Sequence, residues 1–121
     1  MTVRLPPRLP KRPKLRYGQR VRSPGHLAWV RHHQCCVPGC AAGASEAAHV
    51  RKGTDGGTGL KPSDSWAISL CHEHHMEQHM LGEPAFERVY MIDMKALAKE
   101  FADRSPALQR YFAKQKKDAA T

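Results

Sequence analysis

Between residues 71 and 79 the chain reads Cys-His-Glu-His-His-Met-Glu-Gln-His, and two metal-binding spacings overlap on that one stretch. Cys71 and His74, three apart, share one face of a helix start, whereas His75 and His79, four apart, share another, because each helical residue turns about 100° from the last. Neighbouring imidazoles at 74 and 75 must therefore point toward two different centres. Few packings of a short chain allow that.

A cysteine knuckle upstream supplies the rest of the first centre. Cys35 and Cys40 bracket Cys36-Val37-Pro38-Gly39, and Pro-Gly favours the tight turn that brings two thiolates onto one ion. With Cys71 and His74 they make a Cys₃His set, as a structural zinc requires. Cys36 to Cys40 is a competing knuckle; Cys35 is preferred, which leaves Cys36 as a buried free thiol. A metal staple suits a chain of 121 residues, whose core is small. Four cysteines beside eight histidines point to metal ligation rather than disulfides in a reducing compartment. No apolar run approaches the ~20 residues of a membrane span, and the arginine- and proline-broken N-terminus lacks the apolar core of a secretory signal. The expectation is a cytoplasmic protein with no membrane partner.

Charge points to the partner. Twenty Lys and Arg against 11 Asp and Glu give a net charge of +9 and a pI near 9.8, the balance of a protein that meets a polyanion, with nucleic acid the leading candidate. Residues 1–22 hold eight of the basic side chains, no acid, and prolines at 6, 7, 10 and 13. They read as a flexible basic arm that adds phosphate affinity without sequence choice, the alternative being a solubilising tail.

The elements follow from local signals. Ser23 caps a short helix to Arg31 with Leu27, Trp29 and Val30 facing inward. Residues 45–51 and Ala67 to Leu70 can pair as a small antiparallel ribbon. The glycine-rich stretch from Gly53 to Gly59 between them lacks the Gly-Lys-Ser/Thr ending of a phosphate loop and reads as a turn. A helix from Glu73 ends near Gly82, a second spans Pro84 to Tyr90, and a third, capped by Asp93, carries Leu97, Ala98 and Phe101. Ser105-Pro106 opens another with Leu108, Tyr111 and Phe112, whose end at Lys114 to Lys117 is expected to fray.

His75 needs a role that the zinc does not give it. With His79 it has the spacing by which two imidazoles share a cation, and His72, three residues before His75, could assist. A surface histidine cluster is the plainer reading of that pair. Against it, His49 lies on the strand that pairs with the one running into the helix, and so could face His75 and His79. A histidine opposite a divalent cation is the minimum for phosphodiester hydrolysis: the neutral imidazole deprotonates a water while the cation polarises the phosphate. Arg51 and Lys52, just beyond, could hold flanking phosphates or form a solvated basic turn.

In this order the residues resemble the zinc-containing branch of the HNH nucleases, the ββα-metal group. The knuckle Cys35 to Cys40, Ala48-His49-Val50, the Gly56-Gly57 loop, Leu70-Cys71, His74, and His75 to His79 occupy the places of that pattern over about half the chain. The closest likeness is to small phage or prophage proteins, recombination-associated nucleases among them, in which a segment such as Lys61-Pro62-Ser63-Asp64 precedes the second strand. The resemblance implies an α+β fold with a zinc-stapled ββα-metal core, placed over residues 23–82; the local signals add a helical C-terminal extension over 83–117 and a tail at 118–121. It also implies His49 as general base, His75 and His79 as ligands of a catalytic magnesium, manganese or zinc, and Cys35, Cys40, Cys71 and His74 as the zinc cage. It places the protein in a bacterial host cell. Two positions depart from the pattern. Ala48 stands where an acid or histidine often binds the cation, and the chain holds no asparagine, so Asp64 is the candidate to orient His49 or reach the cation, unless it only caps a turn.

Three functions are compatible with this reading: a DNA endonuclease, a non-catalytic zinc-stabilised nucleic-acid-binding module, and a protein-docking adaptor, which the charge favours least. His49 separates the first two, since a purely structural zinc domain has no use for it. Oligomeric state is left open by the sequence.

Overall fold

Two four-residue strands, β1 (Glu46–His49) and β2 (Ala67–Leu70), pair antiparallel with Glu46 opposite Leu70 and His49 opposite Ala67, as the sequence pattern predicts. The computed structural model describes Pro7 and residues 20–43, 45–56 and 61–119. Among these, the ribbon is the whole sheet and five helices surround it in an α+β arrangement: α1 (Pro24–Arg31), α2 (His72–Leu81), α3 (Glu83–Tyr90), α4 (Met94–Arg104) and α5 (Pro106–Ala119). No helix among the described residues is long and apolar enough to cross a membrane.

Each helix starts where a side chain can take an orphan N–H. Ser23 accepts from His26 at the head of α1, with Pro24 just inside it, and Asp93 accepts from Ala96 at the head of α4. Gly82 is both C-cap of α2 and N-cap of α3; its φ of 83° is open to glycine at little cost, and the sharp turn lays α3 back on α2. α4 packs on β2, burying Ile68, Leu70, Phe86, Met94, Ala98 and Phe101 in one core with Val30 and Ala48. Leu97 stays half-buried at its edge.

Three expectations are corrected. The buried side chains of α1 are His26 and Val30, with Leu27 and Trp29 half-buried; His26 Nδ1 lies 2.8 Å from Ser105 Oγ, an anchor to the α4–α5 junction that an apolar-periodicity reading overlooks. α5 does not end at Lys114 but stays helical through Lys114, Lys116 and Lys117 to Ala119, because the buried Leu108 and Phe112 hold its first turns against the second, smaller core. The basic arm falls largely outside the described residues, yet Val21 and Arg22, which its charge pattern includes, are anchored. Val21 is buried against Ala102, Leu108 and Phe112, its N–H donates to Ser63 Oγ at 2.9 Å and its carbonyl accepts from Asp64 N at 2.8 Å. Arg22 donates to the carbonyls of Lys61 and Pro62.

Residues 21–23 are thus fastened to residues 61–64. Ser63 is fully enclosed, and its hydroxyl in turn donates to Asp55. Ser63→Ala leaves the buried Val21 N–H without an acceptor and should lower stability by about 1–3 kcal/mol in chemical denaturation of the metal-loaded chain, with its cooperativity retained.

Candidate functional site

The segment from Gln34 to Cys40 hangs on the edge of β2. Cys36 N–H donates to Ser69 O at 2.8 Å, and Ser69 Oγ donates to Gln34 O at 2.7 Å. Cys40 N–H then closes on Val37 O at 3.1 Å, a β-turn with Pro38 second and Gly39 third, where a φ of 79° suits glycine. This turn carries Cys35 and Cys40 to the β2–α2 junction. There Cys71 caps α2 and, one turn on, His74 faces the same way.

Cys35, Cys40, Cys71 and His74 bring four ligand atoms within 4.8 Å of one another, close enough to hold a metal ion. Cys71 Sγ lies 3.1 Å and Cys35 Sγ 3.6 Å from His74 Nδ1, and Cys40 Sγ lies 3.9 Å from Cys71 Sγ. Ligands 2.0–2.3 Å from a tetrahedral ion stand roughly 3.3–3.8 Å apart, so the cage fits zinc with small adjustment. No pair is bonded as a disulfide. Cys36 is the fourth thiol, turned away into the core toward Ser69 Oγ at 3.5 Å, which resolves the choice between the two knuckle spacings in favour of Cys35 for this cluster. Burial pushes the Cys35 thiol up to about 12 and raises Cys36 as well, whereas the Ala42 backbone holds Cys40 below its ordinary value. Loading the cage therefore displaces protons, and metal affinity weakens as the pH is lowered. Tyr90 closes one wall, its ring edge-on to His74 with centroids 5.1 Å apart. Its phenol donates to Glu77, the main reason its pKa is raised to about 12.

On the other side of α2 lies a cleft of about 780 Å3 lined by His49, Arg51, Lys52, Lys61, His75, Gln78 and His79. The His75 and His79 rings stand 5.0 Å apart, the neighbourly spacing that i and i+4 side chains have on a helix. His75 Nδ1 lies 2.8 Å from Glu46 Oε1 and His72 Nδ1 3.1 Å from Oε2, so one carboxylate at the start of β1 spans two imidazoles of α2. Those hydrogen bonds, His75 first, hold Glu46 below the usual carboxylate range. A His75 that donates from Nδ1 presents the lone pair of Nε2 for a cation. His72 is 70% exposed beyond Glu46, and its part is to share that carboxylate.

His49 faces Asp64, with Nε2 3.0 Å from Oδ1. A carboxylate only accepts, so Nε2 carries the proton and Nδ1 of the neutral ring keeps the lone pair. Asp64 is nearly enclosed, 3% exposed; its Oδ2 accepts from Ser23 N–H at 2.8 Å, and Arg22 stands 3.6 Å from Oδ1. Burial lowers the His49 pKa and outweighs the opposing pull of Asp64, with Lys61 and Arg22 adding to the lowering. Ala48, one residue before, is fully buried in the core and offers no ligand.

Arg51 and Lys52 line the cleft while their backbone N–H groups donate to the two oxygens of Glu83, at 2.8 and 2.9 Å, which ties the turn after β1 to the head of α3. Sequence reasoning did not single out Glu46, Glu83, Asp55 or Gln78. Only Glu46 left a local clue, an acid at the start of a strand whose partner strand runs straight into the histidine helix.

A family model described as "Protein of unknown function (DUF968)" matches residues 5–108 of the chain. No curated protein and no solved structure matches it.

Two measurements test these centres. Cys71→Ser should lose the bound metal and the cooperative melt, whereas Cys36→Ser should keep its metal, read by elemental analysis and thermal denaturation. His49 should titrate by NMR below the ordinary value of 6.5, and Asp64→Asn should lower it further, because Asp64 is the group that favours the protonated ring. The same shift makes folding weaker on the acid side: above 6.5 both states are neutral, and below it the unfolded chain takes up the proton first.

Proposed function

Because the chain belongs to the DUF968 family, whose function is not assigned, its chemistry has to be read from its own residues, and we propose that it is a metal-dependent endonuclease of the HNH (ββα-metal) type that hydrolyses DNA phosphodiester bonds. The observation that carries this reading is the cleft that collects His49, held by Asp64, together with His75 and His79. The ribbon and α2 form the ββα-metal core, the Cys₃His cage holds a structural zinc, and Asp64 stands in for the missing asparagine as the group that orients the base.

The His49 ring is neutral near pH 7 because burial disfavours its charge, and its Nδ1 lone pair takes the proton of a water as that water attacks phosphorus. Nε2–H stays on Asp64 Oδ1, which fixes ring and tautomer. The new P–O bond forms as the bond to the 3′ oxygen breaks, leaving a 5′-phosphate and a 3′-hydroxyl that takes its proton from solvent. His75 and His79 would hold a divalent cation, which would supply charge neutralisation at the phosphate and the departing oxygen. Glu46 orients His75 for that role, and Arg51, Lys52 and Lys61 offer positive charge to the flanking phosphates. The basic residues before Val21 add affinity without sequence choice, and Val21 to Ser23, which follow them, are fastened to the loop that carries Asp64.

One observation favours a second reading, a zinc-stabilised nucleic-acid-binding module without catalysis: the buried Ala48 contributes no ligand to a cation. The two separate on supercoiled plasmid with magnesium or manganese. The wild type should nick it. His49→Ala should bind DNA with zinc retained and nick at least ~100-fold more slowly, the low end of a general base's contribution. Unchanged nicking in that variant removes the mechanism, and no nicking by the wild type with tight DNA binding selects the module. Deleting residues 1–19, which spares the Val21 anchor, should weaken DNA binding and flatten its salt dependence, by about one unit of slope for each phosphate that the shortened chain no longer neutralises.

A further inference from the structure

α2 buries one side chain, and that side chain is polar. Gln78 is 3% exposed, while Met76 and Met80 on the same helix are 51% and 82% exposed. An amphipathic helix of ordinary stability would be patterned the other way, so the inversion asks for a reason at the site. The Gln78 amide is half-used. Its Nε2 donates to the buried Met94 Sδ at 3.3 Å, and since sulfur only accepts, that contact fixes which end is the N–H. The other end, Oε1, is buried and has no hydrogen-bond partner among the described residues. An enclosed carbonyl left without a donor is destabilising, and native proteins retain few that no ligand or water satisfies.

Gln78 also lines the cleft that holds His49, His75 and His79. On the helix it follows His75 by three positions and precedes His79 by one, so all three fall within an arc of about 100°. Arg51, Lys52 and Lys61 line the same cleft, yet none of them donates to Oε1. A phosphate brings acceptors only. A hydrated divalent cation brings water O–H donors directed outward from its positive centre, and an amide carbonyl is a hard oxygen of the kind such cations favour nearby.

We infer that Gln78 is a positioning residue of the cation site, its Oε1 accepting a hydrogen bond from the hydration shell of a divalent cation held by His75 and His79. The inference rests on the cation assignment of the proposed function and adds one property of the site: the ion held there, manganese among the candidates, keeps part of its water shell. The helix accepts a poorly satisfied amide so that the outer shell of the ion has a fixed acceptor.

The test titrates Mn²⁺ alone into the zinc-loaded chain by calorimetry, with thermal melting of each variant before Mn²⁺ is added. Gln78→Met keeps the side-chain length and removes the carbonyl; it should weaken Mn²⁺ binding about tenfold, as loss of an outer-shell partner does, while the melting temperature of the Mn²⁺-free protein stays level or rises. Gln78→Glu, which restores an acceptor and adds charge, should bind Mn²⁺ more tightly than wild type, so a folding failure of the methionine variant does not end the test. His75→Ala separates the two levels. If it abolishes Mn²⁺ binding while Gln78→Met leaves the affinity unchanged and Gln78→Glu does not raise it, Gln78 is a packing residue and its role at the cation site falls alone. Mn²⁺ binding that survives His75→Ala overturns the cation assignment itself.

Discussion

The phase of α2 is set where β2 runs into it at Cys71, and both the Cys₃His cluster and the histidines of the cleft depend on that phase. Leu70 is the last residue of the strand, Cys71 caps the helix and His72 is its first residue. From that start His74 turns toward the thiols and His75 toward Glu46. A slip of one residue would rotate the helix by about 100° and exchange their surroundings. Apolar packing does little to prevent such a slip, because α2 buries no large apolar side chain. Polar ties on opposite flanks hold it instead: the Cys₃His cluster on one side and the Glu46 carboxylate on the other. A metal bound by the four cage residues would therefore matter beyond stability, because it would lock the rotation of the helix that lines the cleft.

A second set of polar ties governs His49. Burial pushes the ring toward its neutral form, and Asp64 pulls the other way while holding Nε2. Neither alone suits a general base: burial without a partner leaves ring and tautomer unfixed, and a carboxylate without burial favours the cation that has no lone pair to offer. Asp64 is in turn held by Ser23 N–H and by its own N–H on Val21 O, so the segment that leads back to the basic residues 1–20 is fastened to the same loop. In the proposed reading, the part of the chain that would gather DNA and the group that orients the base share one anchorage. In the role inferred for Gln78, its enclosed carbonyl is a further cost of function, one that a water of the bound ion would offset.

The four cage residues, the pairing of the two strands, the caps at Ser23 and Asp93 and the end of α2 at Gly82 were all legible in the sequence. Each depends on spacing within a turn or a few helical residues, where covalent geometry leaves little freedom. The choice of Cys35 over Cys36 was legible only as a preference, since both spacings can close a knuckle. It was decided by the edge of β2, where Ser69 takes Cys36 N–H and its hydroxyl faces the Cys36 thiol.

What the sequence by itself determined is therefore the inventory and its local directions: three thiols and an imidazole for one cluster, two imidazoles on another face of the same helix, and a histidine on the strand that pairs with the one running into it. The tertiary structure decided who stands behind them. Asp64 meets His49 across 15 residues, Glu46 meets His75 across 29, and Ser23 meets Asp64 across 41. Such contacts follow from the path of the chain through the loop at residues 61–64 and around the ribbon, and no local periodicity encodes that path. For the same reason the burial of His26, Val21 and Gln78 stayed hidden, because each is set by what α4 and α5 bring up against it rather than by its neighbours in sequence.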